Sequence, residues 1–189
     1  MFLLYPVLIS LILGLLTGGS ASRLGQLRLV WAPLIVLGMA LQLHQFSTPI
    51  GNALGDAASV AYVLSNVLVL AAVAANLAIP GLWLVLAGGI SNLLAIVANG
   101  GYMPVSPATL AALGALPKVD YSNSAPRDTA VLPFLTDVFN MPGWVPLANV
   151  FSVGDLLIGV GAAIAVFAAM HGRGPIIAQR PDQTADEVA

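Results

Sequence analysis

Leu82-Trp-Leu-Val-Leu-Ala-Gly-Gly-Ile-Ser-Asn-Leu-Leu-Ala-Ile-Val-Ala98 is the stretch whose reading decides the fold. It contains no ionisable side chain, and its apolar residues fall on every face of a helix. A helix without a wet stripe has no side to turn toward water, so a bilayer is its natural solvent. Four other stretches read the same way: Phe2–Gly18, Val30–Phe46, Ser59–Ile79 and Val153–Met170. At a rise of 1.5 Å per residue each predicts a helix of about 25–32 Å, against a hydrocarbon core of roughly 30 Å. Of six basic and eight acidic residues, only Asp155 falls inside them. The expected fold class is therefore all-α: a polytopic membrane protein with a bundle of five transmembrane helices over residues 1–170. A long, partly helical extracytoplasmic segment, 99–152, separates helices four and five, and 171–189 form a polar cytoplasmic tail.

The composition agrees. The chain has 189 residues, 59% hydrophobic and 7% charged, where soluble domains carry about a quarter charged residues. A net charge of −2 with no basic stripe excludes nucleic acid as a partner. There is no cysteine, which removes disulfides and thiolate chemistry. The two histidines, His44 and His171, lie at the ends of different spans. No metal site and no cofactor are expected, because a zinc site needs three or four converging ligands. Phe2–Leu16 lacks the basic start of a cleavable signal, although Gly18-Gly19-Ser20-Ala21 could be read as a cleavage site. It reads as a retained first span.

Arginines set the expected orientation. Arg23 and Arg28 lie between spans one and two, and Arg173 and Arg180 follow span five. With five spans these groups share a side, and the positive-inside bias makes it the cytoplasm. The short loop Ser47–Ala58 then faces outward without a basic residue. Lys118 and Arg127 sit in the long segment, where charges carry little weight. The N-terminus is expected outside and the C-terminus inside.

Pro80-Gly81 makes so tight a turn that spans three and four must be antiparallel neighbours. Gly14-x-x-x-Gly18 in span one and the small face Gly159, Gly161, Ala162 and Ala165 in span five suit close helix docking. Asn66 and Asn76 in span three and Asn92 in span four either tie helices together or contact a ligand. No ionisable group lies mid-span, which disfavours ion-coupled transport.

Residues 99–152 hold seven of the thirteen prolines and many apolar side chains. Connections this long are usually functional or disordered, and the apolar content disfavours disorder. In Asn99-Gly-Gly-Tyr-Met-Pro-Val105 the glycines permit positive φ and Pro104 blocks helix continuation. Ser106 caps a short helix over Ala108–Leu113, stopped by Gly114, with Leu110 and Leu113 on one face. Val131–Leu135 and Met141–Leu147 should pack over helix ends or dip into the interface, with Trp144 as an anchor. Ser152 and Asp155 have the spacing of a capping box, which explains Asp155 without a catalytic role.

The pieces Asn99-Gly-Gly-Tyr-Met-Pro-Val105, Phe134-Leu-Thr-Asp-Val-Phe139 and Phe151-Ser-Val-Gly-Asp155 resemble a family of small bacterial multi-span proteins of unknown function. That resemblance implies a bacterial inner (plasma) membrane location. It supplies no activity; the candidate binding residues are Asn99, Gly100, Gly101, Met103 and Pro104 at the start of the long segment, with Asn66 and Asn92 in the spans. The end of the chain resembles lipoprotein signal peptidase more faintly. In that membrane aspartyl protease the second aspartate opens the last span in a Phe-Asn-x-Ala-Asp pattern, here Phe151-Ser-Val-Gly-Asp155. Asn123, Arg127 and Asp128 loosely match its earlier motif. The resemblance implies Asp137 and Asp155 as a catalytic pair that shares one proton and activates a water.

Three functions compete: a non-catalytic scaffold or accessory subunit of a membrane complex, an aspartate-dyad hydrolase at the outer interface, and a lipid or small-molecule binding protein. The expected partners are the lipid bilayer and membrane-protein subunits.

Overall fold

A computed structural model describes residues 2–45, 57–112, 124–126 and 129–175. Most of them are helical. The long helices are α1 (Leu4–Leu16), α2 (Ala32–Gln45), α3 (Ala57–Ala74), α4 (Leu82–Ala98) and α6 (Val153–Met170), and α5 (Pro107–Ala112) is a short one. Two of these, α3 and α6, are long and apolar enough to cross a membrane, with mean hydropathy of 2.0 and 2.1. The other long helices are apolar but shorter.

Paired contacts along the helices give their order and direction. Val30 bonds Asn76 while Gly38 meets Val69, so α2 and α3 run antiparallel. Gly89 of α4 lies on Leu70, and Ala95 and Ile96 share a core with Tyr62, so α3 and α4 are antiparallel as the Pro80-Gly81 turn requires. Gly81 faces Gly161, and Gly88 faces Gly154, which sets α6 antiparallel to α4. Along α1 and α6, Phe2 stacks on Phe151, Ser10 donates to the Ala163 carbonyl at 2.6 Å, and Gly14 faces Met170. Those two helices are parallel. The order in space is α2, α3, α4, α6, α1.

Small residues make this packing possible, because backbones approach where no side chain intervenes. A Cβ on Gly161 would stand 2.6 Å from the Gly81 carbonyl oxygen. Gly159 is covered by Pro6 and Phe2, so the small face of the last span is used inside the fold. Gly14 fits against Met170, whereas Gly18, at φ +84°, has nothing within 4 Å. The spacing of those two glycines therefore marks one contact and one helix end.

Several expected boundaries shift. The first helix is only 13 residues, because Thr17 and Gly18 close its end with bonds to Leu13 and Leu15. The third was expected to reach Ile79 and ends at Ala74. Asn76 takes the Ala72 carbonyl with its side chain at 2.7 Å, and tight turns carry the chain to Gly81. The short helix starts at Pro107 with the expected cap, as Ser106 Oγ accepts from the Thr109 amide at 3.0 Å. Leu113 and Gly114, most of the Ser47–Ala58 loop, Lys118, Arg127 and Arg180 lie outside the described residues, as do Asn123 and Asp128.

Short strands are the main departure from an all-α expectation. β1 (Met103–Val105) pairs in parallel with β2 (Ser124–Pro126), and β3 (Phe139–Asn140) pairs antiparallel with β4 (Val150–Phe151). Pro104 in β1 and Pro126 in β2 each remove a ladder donor, which keeps that pairing to three residues. Together with a single 3-10 turn at Pro133–Leu135, the strands form a cap over one end of the bundle. Arg23 and Arg173 lie at the other end, where the Arg23 guanidinium reaches the Met170 carbonyl.

Candidate functional site

The capped end is built on the start of α6. Ser152 Oγ accepts from the Asp155 amide at 2.9 Å, and Asp155 Oδ2 accepts from the Ser152 amide at 3.0 Å. This is the capping box its spacing predicts. A third member, Asn92 of α4, closes the cluster. Its Nδ2 donates to Asp155 Oδ1 at 2.8 Å, and its Oδ1 accepts from Ser152 Oγ at 2.8 Å. Ser152 is 0% exposed. Gly88 and Gly154 permit the approach, since a Cβ on Gly154 would collide with Asn92 Oδ1. Each polar atom named is partnered, and both Asp155 oxygens are occupied.

Two turns further along α4, Asn99 ends the helix. Gly100 donates to the Val97 carbonyl and Gly101 to that of Ile96, with φ of +76° and +91°. That pair of bonds is a Schellman motif, which needs a left-handed residue after the cap. A Cβ on Gly101 would also press on Ser59 at 2.5 Å. Met103 then joins the core formed by Tyr62, Ala95 and Ile96, and Pro104 and Val105 are buried as well. Of the candidate binding residues, Met103 and Pro104 are thus buried packing, and Gly100 and Gly101 are turn geometry.

Asn99 itself clamps the cap. Its Oδ1 accepts from the Val131 amide at 2.8 Å, while Nδ2 donates to the carbonyls of Val131 and Ala95 at 2.9 and 2.7 Å. Asn76 repeats this arrangement at the opposite end of the bundle. It accepts from the Val30 amide and donates to the carbonyls of Val30 and Ala72, at 2.8, 2.7 and 2.7 Å. An asparagine after each of these two helices therefore donates its side chain to a carbonyl four residues back and satisfies both backbone groups of a remote residue. Asn66 acts locally, donating to the Tyr62 carbonyl at 2.9 Å.

Asp137 belongs to the cap. It is 5% exposed, bridges to Val105, and donates its amide to the Pro104 carbonyl. Further ties bind the cap to α1. The Phe2 amide donates to Asn149 Oδ1 at 2.8 Å, and the Tyr5 hydroxyl donates to the Pro146 carbonyl. Phe2 stacks on Phe151 with centroids 4.2 Å apart, and Phe151 on Phe139 at 5.4 Å. Asn149 and Tyr5 carried no pattern in the sequence that points to these bonds, because both partners are more than a hundred residues away.

The arrangement holds backbone to backbone. Among the described residues, Ser91 Oγ is the one buried side-chain polar atom recorded without a partner, and no group of three metal-ligating side chains forms. The chain belongs to the family of unknown function DUF5317, whose model matches residues 26–167. No curated protein and no solved structure matches it.

Proposed function

Starting from membership of a family that carries no activity, we propose that the protein is a non-catalytic membrane scaffold or accessory subunit. In this reading five helices cross the bacterial plasma membrane and hold the 99–152 cap on its outer side. The observation that carries it is the closed Asn92–Ser152–Asp155 cluster, in which the carboxylate oxygens serve a helix cap and a helix contact. A nucleophile or general base needs an oxygen lone pair within hydrogen-bond reach of substrate, and in Asp155 each oxygen already accepts one structural bond.

The membrane part rests on the outside of the bundle. Leu16 is 77% exposed, and long apolar side chains face outward on all five long helices, where water-soluble monomers rarely expose large apolar patches. Trp31 and Trp83, 56% and 61% exposed, stand at the starts of α2 and α4, and Trp144, 84% exposed, lies in the cap. That distribution suits two interfacial belts. Arg23, Arg28 and Arg173 favour the cytoplasm for their end by the positive-inside bias. α1 would span about 20 Å, a mismatch that local thinning of the bilayer accommodates.

The test is purification from native membranes in mild detergent, after cross-linking, with bound proteins identified by mass spectrometry. A stoichiometric membrane-protein partner is expected. A monomer without partners contradicts the reading.

The burial of Asp137 favours a second reading, the aspartate-dependent hydrolase. It predicts cleavage of a membrane-bound lipopeptide that is abolished in both Asp137→Asn and Asp155→Asn proteins while each still folds.

A further inference from the structure

We infer that the arginine end holds a binding site for a phosphate-type anion, supplied by the headgroup of an anionic lipid. A cavity of about 350 Å³ opens there between the turn that follows α1 and the end of α6. Arg23 and Gln26 form one wall, His171 and Arg173 the other, and Leu27 lies between them.

The side chains around this cavity differ from those elsewhere in the bundle. Arg23 donates through Nη1 to the Met170 carbonyl at 3.2 Å, which fixes the guanidinium at the rim and leaves most of its five donors available. Arg173 makes no side-chain hydrogen bond or ion pair with another described residue, and no described carboxylate pairs with either arginine. His171 is fixed by its neighbours: Nδ1 lies 2.9 Å from the Phe167 carbonyl, Nε2 lies 3.2 Å from Thr17 Oγ1, and the ring stacks on Phe167. The backbone is tailored as well. Gly172 at φ +73° turns the chain sharply after α6, and a Cβ there would face the Arg23 guanidinium at 3.7 Å.

Two arginines that line one cavity can together serve a phosphate, whose oxygens accept paired N–H donors. The surroundings favour a lipid as the source. The cavity lies where α1 ends in the outward-facing Leu15 and Leu16, beside which acyl chains would run. Basic pockets at helix ends on the cytoplasmic side recognise anionic headgroups in this way. The inference rests on the membrane reading above, and it is independent of the scaffold role.

The experiment uses the full chain in neutral maltoside detergent. Thermal unfolding and native mass spectrometry are followed with added phosphatidylglycerol, phosphatidylcholine or sodium phosphate. Phosphatidylglycerol is expected to raise the unfolding midpoint and to stay bound, and phosphatidylcholine to do neither. Its affinity should fall about fivefold in Arg173→Gln, further in Arg23→Gln/Arg173→Gln, and recover in Arg173→Lys. Arg173→Gln serves as the principal variant, because it removes no bond of the fold. Its midpoint without lipid should match that of the parent protein. Equal binding of the two lipids, or unchanged affinity in Arg173→Gln and the double variant, overturns the site. A response to sodium phosphate as large as that to phosphatidylglycerol overturns the lipid source. Failure of the membrane reading would show separately, as a chain that stays soluble when detergent is withdrawn.

Discussion

At the capped end, Asn92, Ser152 and Asp155 satisfy one another around a fully buried Ser152, and Asn99 binds both backbone groups of Val131. At the arginine end, Arg23 and Arg173 border an open cavity, and one of them has no partner among the described residues. Both ends hold polar side chains beside helix termini, and at the arginine end a cavity stands open next to them. An unpaired buried polar group costs about 1–3 kcal/mol, so a bundle with few polar residues gains by closing each one into a bond or leaving it at the surface. Ser91 Oγ is the exception among the described residues. Where closure is complete, the residues are framework. Where it is incomplete, a ligand can complete it.

The widest gap between the two ends should come from methyl groups. Gly154→Ala drives a Cβ into Asn92 Oδ1 and the Gly88 carbonyl, whereas Gly25, near the arginines, has nothing within 4 Å. Unfolding in detergent should show a loss of about 3 kcal/mol for Gly154→Ala and under about 0.5 kcal/mol for Gly25→Ala. Comparable losses at both positions would erase the contrast.

Asn92→Ala comes next, because it strips partners from Ser152 Oγ and Asp155 Oδ1 together. A loss of about 1–2 kcal/mol is expected by the same measurement. A double-mutant cycle with Asp155→Ala should return a coupling near 0.6 kcal/mol, the usual size for bonds between membrane helices. Zero coupling would mean that the two helices do not depend on this contact.

Asn99→Ala and Asn76→Ala sharpen the picture, since the same side-chain arrangement holds different things. Each should cost about 1 kcal/mol. Hydrogen exchange should quicken around Val131 for the first and around Val30 for the second, with little change at the other site. The smallest effect belongs to Arg173→Gln, whose stability without lipid should stay within about 0.5 kcal/mol of the parent.

Much of this frame was legible because it is local. The Ser152–Asp155 box, the Ser106 cap and the Pro80-Gly81 turn depend on residues within a few positions of each other, and each forms as its spacing predicts. Asn92 could be seen as a helix tie, but its partners lie 60 and 63 residues on and follow from tertiary approach alone. The same holds for Val30 and Val131, ordinary valines that matter through their backbone atoms. The end of α3 was misplaced because the apolar run to Ile79 hides a turn that Asn76 makes by capturing Ala72. The strands of the cap were illegible for a different reason: each is only two or three residues long, so no alternation can develop. The arginine cavity was half visible. Basic residues flanking spans one and five pointed to a shared side, while the open space between them is a product of packing.

The most direct test uses the absence of cysteine from the chain. Single cysteines at Gly25, beside the arginines, and at Thr129, an exposed position in the cap, would be probed on intact bacteria with a membrane-impermeant maleimide. The account predicts labelling at 129 and none at 25 until the membrane is opened. Equal labelling of both positions before opening, or of neither, would contradict a bundle that places its cap and its arginines on opposite sides of the bilayer.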